Sequence, residues 1–247
     1  MPEKSPELLS AASLAQYHED GYLVVPDLLS QEEIEAFLAR EKEQPASQPQ
    51  PLQFHRANPH WAQLAQHPRI ASIVQQLLQG PGHIVQTMFM AKSPDGGTGV
   101  ALHQDTHYIR NEPNTLMACW LALSDTDKNN GGLCVLPGSH KMGLLPFEKV
   151  SQTEEHTAWE KLYPMRGPDG KTWDEPMHSF DVVGINKEDL VYLEVPRGSG
   201  VFFTSMTVHG SFANRSGDKP RLAFATHYIK DGTWIYRTDL QDPVDLT

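Results

Sequence analysis

The sequence predicts an α+β fold with an antiparallel β core, on two observations. Through the first third of the chain apolar residues recur at helical spacing; from His83 onward they alternate, or run unbroken for a few residues between turn signals. Helices first and strands second is the order of an α+β protein whose helices pack on one sheet. A chain of 247 residues can bury a sizeable core as one domain, so residues 1–247 are read as a single unit. Residues 1–80 form its mainly helical part, and 83–235 its β core.

Residues 8 to 18 carry Leu8, Leu9, Ala12, Leu14 and Ala15 at helical spacing, and Gly21 stops the pattern. Tyr22 to Val25 reads as a short strand. Ser30 and Glu33 form a capping box ahead of Ile34, Phe37 and Leu38, so a helix runs from there to about Glu43. Pro45 to Pro51 is a linker-like loop of Pro, Gln, Ser and Ala. Asn58-Pro59 opens another helix, and Pro68 to Gln79 a further one, with Ile70, Ile73, Val74, Leu77 and Leu78 as its buried stripe.

The strands follow. Ile84 to Met90 is one, Pro94 to Gly97 a turn, and Val100 to Asp105 the next strand. Thr115 to Leu123 and Leu133 to Leu136 are apolar runs separated by the Asn129-Asn130-Gly131-Gly132 turn. Residues 141–190 lack periodicity yet hold Trp159, Tyr163, Trp173, Met177 and Phe180, which predicts an irregular insertion serving as a lid. Val191 to Val195, Gly200 to Thr204 and Leu222 to Ile229 close the sheet.

Composition narrows the function classes. A formal net charge of −11, with no Lys/Arg cluster, argues against nucleic acid as a partner. Cys119 and Cys134 lie in apolar strands as small hydrophobes rather than a disulfide framework. The polar start, Met1 to Leu9, has no signal-peptide core, and no apolar stretch is long enough to span a bilayer. The expectation is a soluble cytoplasmic protein, monomer or homodimer, whose partner is a small molecule.

The chemistry centres on His103-Gln104-Asp105. In extended backbone, residues i and i+2 face the same side, so both side chains can reach one cation. A second imidazole would complete the two-His-one-carboxylate set that suits non-heme Fe(II) and leaves positions open for substrate and oxygen. His209, in Thr207-Val208-His209-Gly210-Ser211, is the best candidate. Taken alone, His-x-Asp is equally a surface pair at a strand end.

Its surroundings make it specific. Gly97 to Asp105, Trp120, Asn130-Gly131-Gly132-Leu133, Leu136-Pro137-Gly138-Ser139-His140, His209-Gly210-Ser211, Asn214-Arg215-Ser216 and Arg221 together resemble the phytanoyl-CoA dioxygenase family, including its ectoine hydroxylase-like members, over roughly residues 14–230. The resemblance implies a double-stranded β-helix, a cupin-like jelly-roll barrel. It implies an Fe(II)- and 2-oxoglutarate-dependent oxygenase that consumes O2 and splits 2-oxoglutarate to succinate and CO2, with ascorbate as reductant in assay. His103, Asp105 and His209 would hold iron, Arg221 and Ser211 would anchor the distal carboxylate of 2-oxoglutarate, and Trp120 would wall the cofactor pocket. The family's usual spacing puts the Arg one residue closer to the distal His, so the Gly217-Asp218-Lys219-Pro220 turn holds one extra residue and Arg215 is a lesser candidate. Related halogenating enzymes replace the Asp by a small residue; Asp105 therefore favours hydroxylation.

Gln86, Met88 and Met90 alternate on the preceding strand and point into the same cavity, Met88 and Met90 beside the cofactor or as ordinary core. Thr106, His107 and Arg110 belong to the substrate rim, His107 as a substrate contact or a support of the metal ligands. This mixture suits a small polar metabolite better than a long alkyl chain. His227 reads as a satisfied core histidine, and His18, His60, His67, His140 and His156 as surface, capping or turn residues. Two other classes fit the barrel: a cupin-like metal isomerase or sugar-binding module, which would not need an Arg anchor, and a non-catalytic ligand-binding module.

Overall fold

The computed structural model describes residues 9–43 and 52–246. The expected Pro45–Pro51 loop and most of the polar N-terminal stretch lie outside them. Helix α1 (Ala11–Asp20) starts where the Ser10 hydroxyl accepts the Ser13 N–H at 3.0 Å and ends at Gly21, which is left-handed at φ 79°. After strand β1 (Tyr22–Val25) comes α2 (Gln31–Glu43). Its capping box is closed both ways: Glu33 N–H donates to Ser30 Oγ at 3.2 Å and Ser30 N–H to Glu33 Oε2 at 2.7 Å. A one-turn helix, α3 (Phe54–Ala57), had no signal in the sequence. Next come α4 (Pro59–Ala65), with Pro in its first turn but no bond from the Asn58 side chain, and α5 (Pro68–Leu78), which buries the stripe expected of it.

Strands β2 (Gly82–Lys92), β3 (Val100–His103), β4 (Asn111–Glu112), β5 (Met117–Ala122), β6 (Leu133–Val135), β7 (Phe147–Lys149), β8 (Glu160–Arg166) and β9 (Thr172–His178) follow in turn. They are succeeded by β10 (Phe180–Val182), β11 (Val191–Tyr192), β12 (Gly200–Thr204), β13 (His209–Ser211), β14 (Arg221–Lys230), β15 (Trp234–Ile235) and β16 (Val244–Asp245). A six-stranded antiparallel sheet has the order β1-β12-β5-β14-β2-β16, and a four-stranded one the order β11-β6-β13-β3. Together they make the double-stranded β-helix.

The period-two alternation of the large sheet divides the core. Met117, Cys119 and Leu121 of β5, with Phe224 and Tyr228 of β14, face the helices. There Trp61 meets Phe224 edge-on, with ring centroids 5.3 Å apart, and Phe37 lies 5.4 Å from the same ring. Ala118, Trp120, Ala122, Ala223 and Ala225 face the other way, onto Leu133 and Val135 of the small sheet. This second interior, lined largely by alanine on the β14 side, is the interior of the barrel.

Two expectations are corrected. The strand read as Val100 to Asp105 stops at His103, because Asp105 opens a 3₁₀ turn whose carbonyl accepts from Tyr108 and Ile109. Residues 141–190 are not irregular: they contain the β8–β9 hairpin and the β7–β10 pair. The hairpin is exposed on most positions, burying only Met165 and Met177 fully, so the apolar alternation that betrays a half-buried strand is missing from its sequence. Among the described residues no helix is long and apolar enough to cross a membrane.

Candidate active site

Antiparallel pairing of β3 with β13 sets His103 directly opposite His209, and Gln104, extended at φ −113° and ψ 126°, keeps Asp105 on the same side as His103. The two imidazole centroids are 4.2 Å apart. Each ring is oriented alike: His103 Nδ1 bonds the Ala101 carbonyl at 2.8 Å, and His209 Nδ1 bonds the Thr207 carbonyl at 3.0 Å. A carbonyl only accepts, so each Nδ1 carries the proton and each Nε2 presents a lone pair. Those lone pairs face Asp105 Oδ1 at 3.5 and 3.7 Å. One ligand atom from each of the three buried residues lies within 4.8 Å of the others. Three inward-facing acceptors repel one another unless a cation sits among them, so the donor set fits a metal, and its two-nitrogen, one-oxygen character suits Fe(II).

The electrostatics agree. Burial, with His103 alongside, pushes the His209 imidazole down to about 4, which keeps it neutral as a ligand. Burial alone would raise the Asp105 carboxyl, but His227, which also donates to its Oδ2, and the facing imidazoles outweigh it and hold the group well below the usual carboxylate range.

The second oxygen of Asp105 is taken. His227 Nε2 lies 3.0 Å from Oδ2, and His227 Nδ1 lies 3.1 Å from Gln86 Nε2. The Gln86 amide donates to Nδ1, which puts the ring proton on Nε2, where it donates to the carboxylate. His227 is thus a buried, satisfied histidine as its sequence suggests, but one of the groups satisfying it is a member of the candidate metal set, Asp105. Gln86, anticipated at the substrate, spends its amide N–H on His227, and its Oε1 is buried without a partner among the described residues.

Register explains the rest. The β2–β14 pairing sets Lys92 opposite Arg221, Met90 opposite Ala223, Met88 opposite Ala225 and Gln86 opposite His227. All these positions differ by two, so all share the barrel face. The cavity wall is therefore polar at both ends and lined between by methionine and alanine. Met88 and Met90 are half-buried against the cluster that holds Trp120.

At the end remote from His227, Arg221 is 2% exposed. Its Nε donates to Gly131 O and its Nη1 to Met90 O, each at 3.2 Å, with the guanidinium carbon 5.8 Å from the Trp120 ring centroid. Burial lowers its pKa to about 10, so it remains a cation at neutral pH. Gly131 is left-handed at φ 79°, and a Cβ there would come within 2.7 Å of the Phe212 carbonyl, so the loop that accepts from Arg221 requires glycine. Ser211 Oγ lies beside this end, 2.8 Å from Lys92 Nζ. Arg215, by contrast, is an exposed residue paired with Glu155.

The anticipated rim residues spread out. His107 Nε2 bonds the Leu145 carbonyl at 3.1 Å and its ring packs on Phe147 and Phe180, so it faces the 141–190 segment and not the candidate metal set. Thr106 Oγ1 is 2.7 Å from Ser205 Oγ, and Arg110 lies 4.1 Å over the Tyr236 ring. Nothing in the sequence marked Tyr108, whose ring stands 5.6 Å from His103 and stacks on Phe180 at 4.6 Å, with the Trp159 ring 5.5 Å away.

Residues 17–223 match the family model of phytanoyl-CoA dioxygenase. The chain belongs to that family. Among its relatives, the phytanoyl-CoA dioxygenase of Arabidopsis thaliana is 28% identical over 198 residues, covering 77% of this chain and 62% of that protein. The peroxisomal phytanoyl-CoA dioxygenase of Rattus norvegicus is 28% identical over 255 residues, covering 90% of this chain and 68% of that one. The chain thus spans about two thirds of the length of these phytanoyl-CoA dioxygenases. Among solved structures, the epimerase SnoN in complex with Fe3+, alpha-ketoglutarate and nogalamycin RO superposes with a TM-score of 0.67 at 22% identity, over 92% of this chain and 86% of that one. The alpha-ketoglutarate-dependent carbocyclase SnoK superposes with a TM-score of 0.67 at 23% identity, over 97% and 90%. These structures share the fold of the family.

Proposed function

We propose that the protein is a non-heme Fe(II)- and 2-oxoglutarate-dependent dioxygenase that hydroxylates a small organic molecule. The observation that carries this reading is one barrel face holding both halves of the requirement: three convergent candidate ligands, His103, Asp105 and His209, tied to it through His227, and a buried cation, Arg221, without a carboxylate partner among the described residues. A cupin-like isomerase has no use for the second feature.

When bound, iron would supply oxidation of a substrate C–H bond by O2, coupled to conversion of 2-oxoglutarate to succinate and CO2. The chain's own residues do the positioning. Arg221, with a fork that matches a carboxylate, and Ser211 hold the distal end of 2-oxoglutarate. Ala223 and Ala225 leave room along β14 for its short chain, and Met88 and Met90 cover it from β2. Asp105 keeps the third ligand position that halogenating relatives of such enzymes leave open, which favours hydroxylation. Tyr108, Phe180 and Trp159 form an aromatic row leading outward from His103, against which a flat or apolar substrate body would lie while water is kept out.

The test is succinate formation from 2-oxoglutarate with Fe(II), ascorbate and O2, first uncoupled and then across panels of small polar and ring-bearing substrates. Turnover that vanishes in His103→Ala and Asp105→Ala supports the reading. Absence of turnover in metal-loaded protein that still binds 2-oxoglutarate would leave the non-catalytic alternative.

A further inference from the structure

The cavity end that holds Arg221 contains a second buried cationic residue, Lys92, 4% exposed at the last position of β2. It stands directly opposite Arg221 in the β2–β14 register, and both donate to the same acceptor, the Gly131 carbonyl. Lys92 Nζ is 3.1 Å from Gly131 O, 2.8 Å from Ser211 Oγ and 2.6 Å from Phe212 O. Among the described residues neither cation forms an ion pair. Glu155, the nearest acidic influence on Lys92, is engaged by Arg215 and the Ala213 N–H. Two unpaired like charges sharing one acceptor out of water is an unfavourable arrangement, relieved by an anion or by loss of a proton.

We propose that Lys92 is the second basic residue of the carboxylate-binding end of this cavity, neutral while the cavity is empty and recruited, by taking up a solvent proton, when a ligand carboxylate docks on Arg221. This rests on the reading of that end as the 2-oxoglutarate site.

The hydrogen-bond count gives the mechanism. A neutral amine has two N–H groups and one lone pair, yet Nζ faces three oxygens. The Gly131 and Phe212 carbonyls can only accept, so in the empty site the third contact reverses and the Ser211 hydroxyl donates to Nζ. Protonated, Nζ donates to all three. Ser211 Oγ then accepts from Lys92, and from Val100 N–H at 3.3 Å, and its own proton is released to point at the ligand carboxylate. Proton uptake and the turning of Ser211 are one event. The balance is simple: –NH2 takes one proton from water to become –NH3+, and no other bond changes.

The surroundings support a neutral resting state. Burial first, then Arg221, lowers the Lys92 pKa to about 6. Its other titratable neighbours do not reverse this: Cys134 is pushed up to about 12 by burial and stays uncharged, Glu155 is paired, and His156 is lowered by burial. A bound carboxylate adds the negative charge that the empty site lacks and raises the Lys92 pKa.

Calorimetry of 2-oxoglutarate binding to the Mn(II)-loaded protein, repeated in buffers of different ionisation heat, counts protons taken up. Below about pH 6 Lys92 is charged before and after binding, so uptake should be near zero. By about pH 8 it should approach one proton per ligand. In Lys92→Met this pH-dependent component should vanish and affinity at neutral pH fall roughly tenfold. Lys92→Arg, always charged, should bind with no such uptake. Binding with uptake that is flat across this range, or undiminished in both variants, overturns the proposal and leaves the 2-oxoglutarate site standing. No binding of 2-oxoglutarate at all overturns both.

Discussion

His227 Nε2 lies 3.0 Å from Oδ2 of Asp105, on the side of the carboxylate away from the two imidazoles that face Oδ1. The carboxylate is therefore held at both oxygens, one by the ligand set and one by a histidine that Gln86 orients in turn. Partners of this kind fix a ligand's direction, and their removal costs about 10–100-fold in metal affinity. His227→Phe should weaken Mn(II) or Zn(II) binding by about that factor, read by competition with a chelator. His227→Gln, which can still donate to Oδ2, should recover most of it. Unchanged affinity in His227→Phe would mean that the β3 turn alone positions Asp105.

Arg221, and not Arg215, should govern 2-oxoglutarate affinity. Arg221 is buried with its Nη2 group unpartnered among the described residues, whereas Arg215 is an exposed residue paired with Glu155. Loss of a charge-assisted two-point contact costs about 3 kcal/mol, or roughly a hundredfold. Arg221→Ala and Arg221→Lys should raise the Kd for 2-oxoglutarate by at least about that much. Arg215→Ala should leave it within a few-fold, and the reverse pattern would reassign the anchor.

The capping box of α2 makes a stability prediction independent of function. Ser30→Ala removes the acceptor for the Glu33 N–H and should cost about 1 kcal/mol. For a domain of this size that lowers Tm by about 2–4 °C. Metal affinity should not change, because the box belongs to the helical layer packed on the large sheet, whereas β3 and β13 lie in the small one.

Glu155 ties the 141–190 segment to the barrel. Its backbone carbonyl accepts Gly99 N–H at 2.6 Å, and its carboxylate accepts Ala213 N–H at 2.7 Å while pairing with Arg215. A Cβ on Gly99 would fall 2.1 Å from the Ser211 carbonyl, so the approach of this residue to the end of β13 needs glycine. If the segment acts as a lid, Glu155→Ala should speed hydrogen exchange across residues 153–157 while β5 and β14 stay protected. Equal exchange in parent and variant would show that the backbone contacts suffice.

The order of helices and strands, the capping box, the stripe of α5 and the apolar runs of β5 and β6 were all legible in the sequence, because each rests on a local period or a cap within one segment. So was the pairing of chemistry in His103-Gln104-Asp105, since an i, i+2 relation survives whether the second residue ends a strand or begins a turn. The β2 alternation Gln86, Met88, Met90 was visible too, and continuing it one step would have reached Lys92; counting in twos from Arg221 would have reached His227. What no local signal contains is which strand lies opposite which. Only the β2–β14 register brings Lys92 against Arg221 and Gln86 against His227, and only the closing of the small sheet over β14 carries His227 to Asp105, 122 residues away in the chain. The exposed β8–β9 hairpin and the Tyr108–Phe180 stack belong to the same category. A hairpin that buries only Met165 and Met177 fully, with Glu175 between Trp173 and Met177 on its inward face, has little hydrophobic period to read, and a contact between rings of distant elements exists only once the chain has folded.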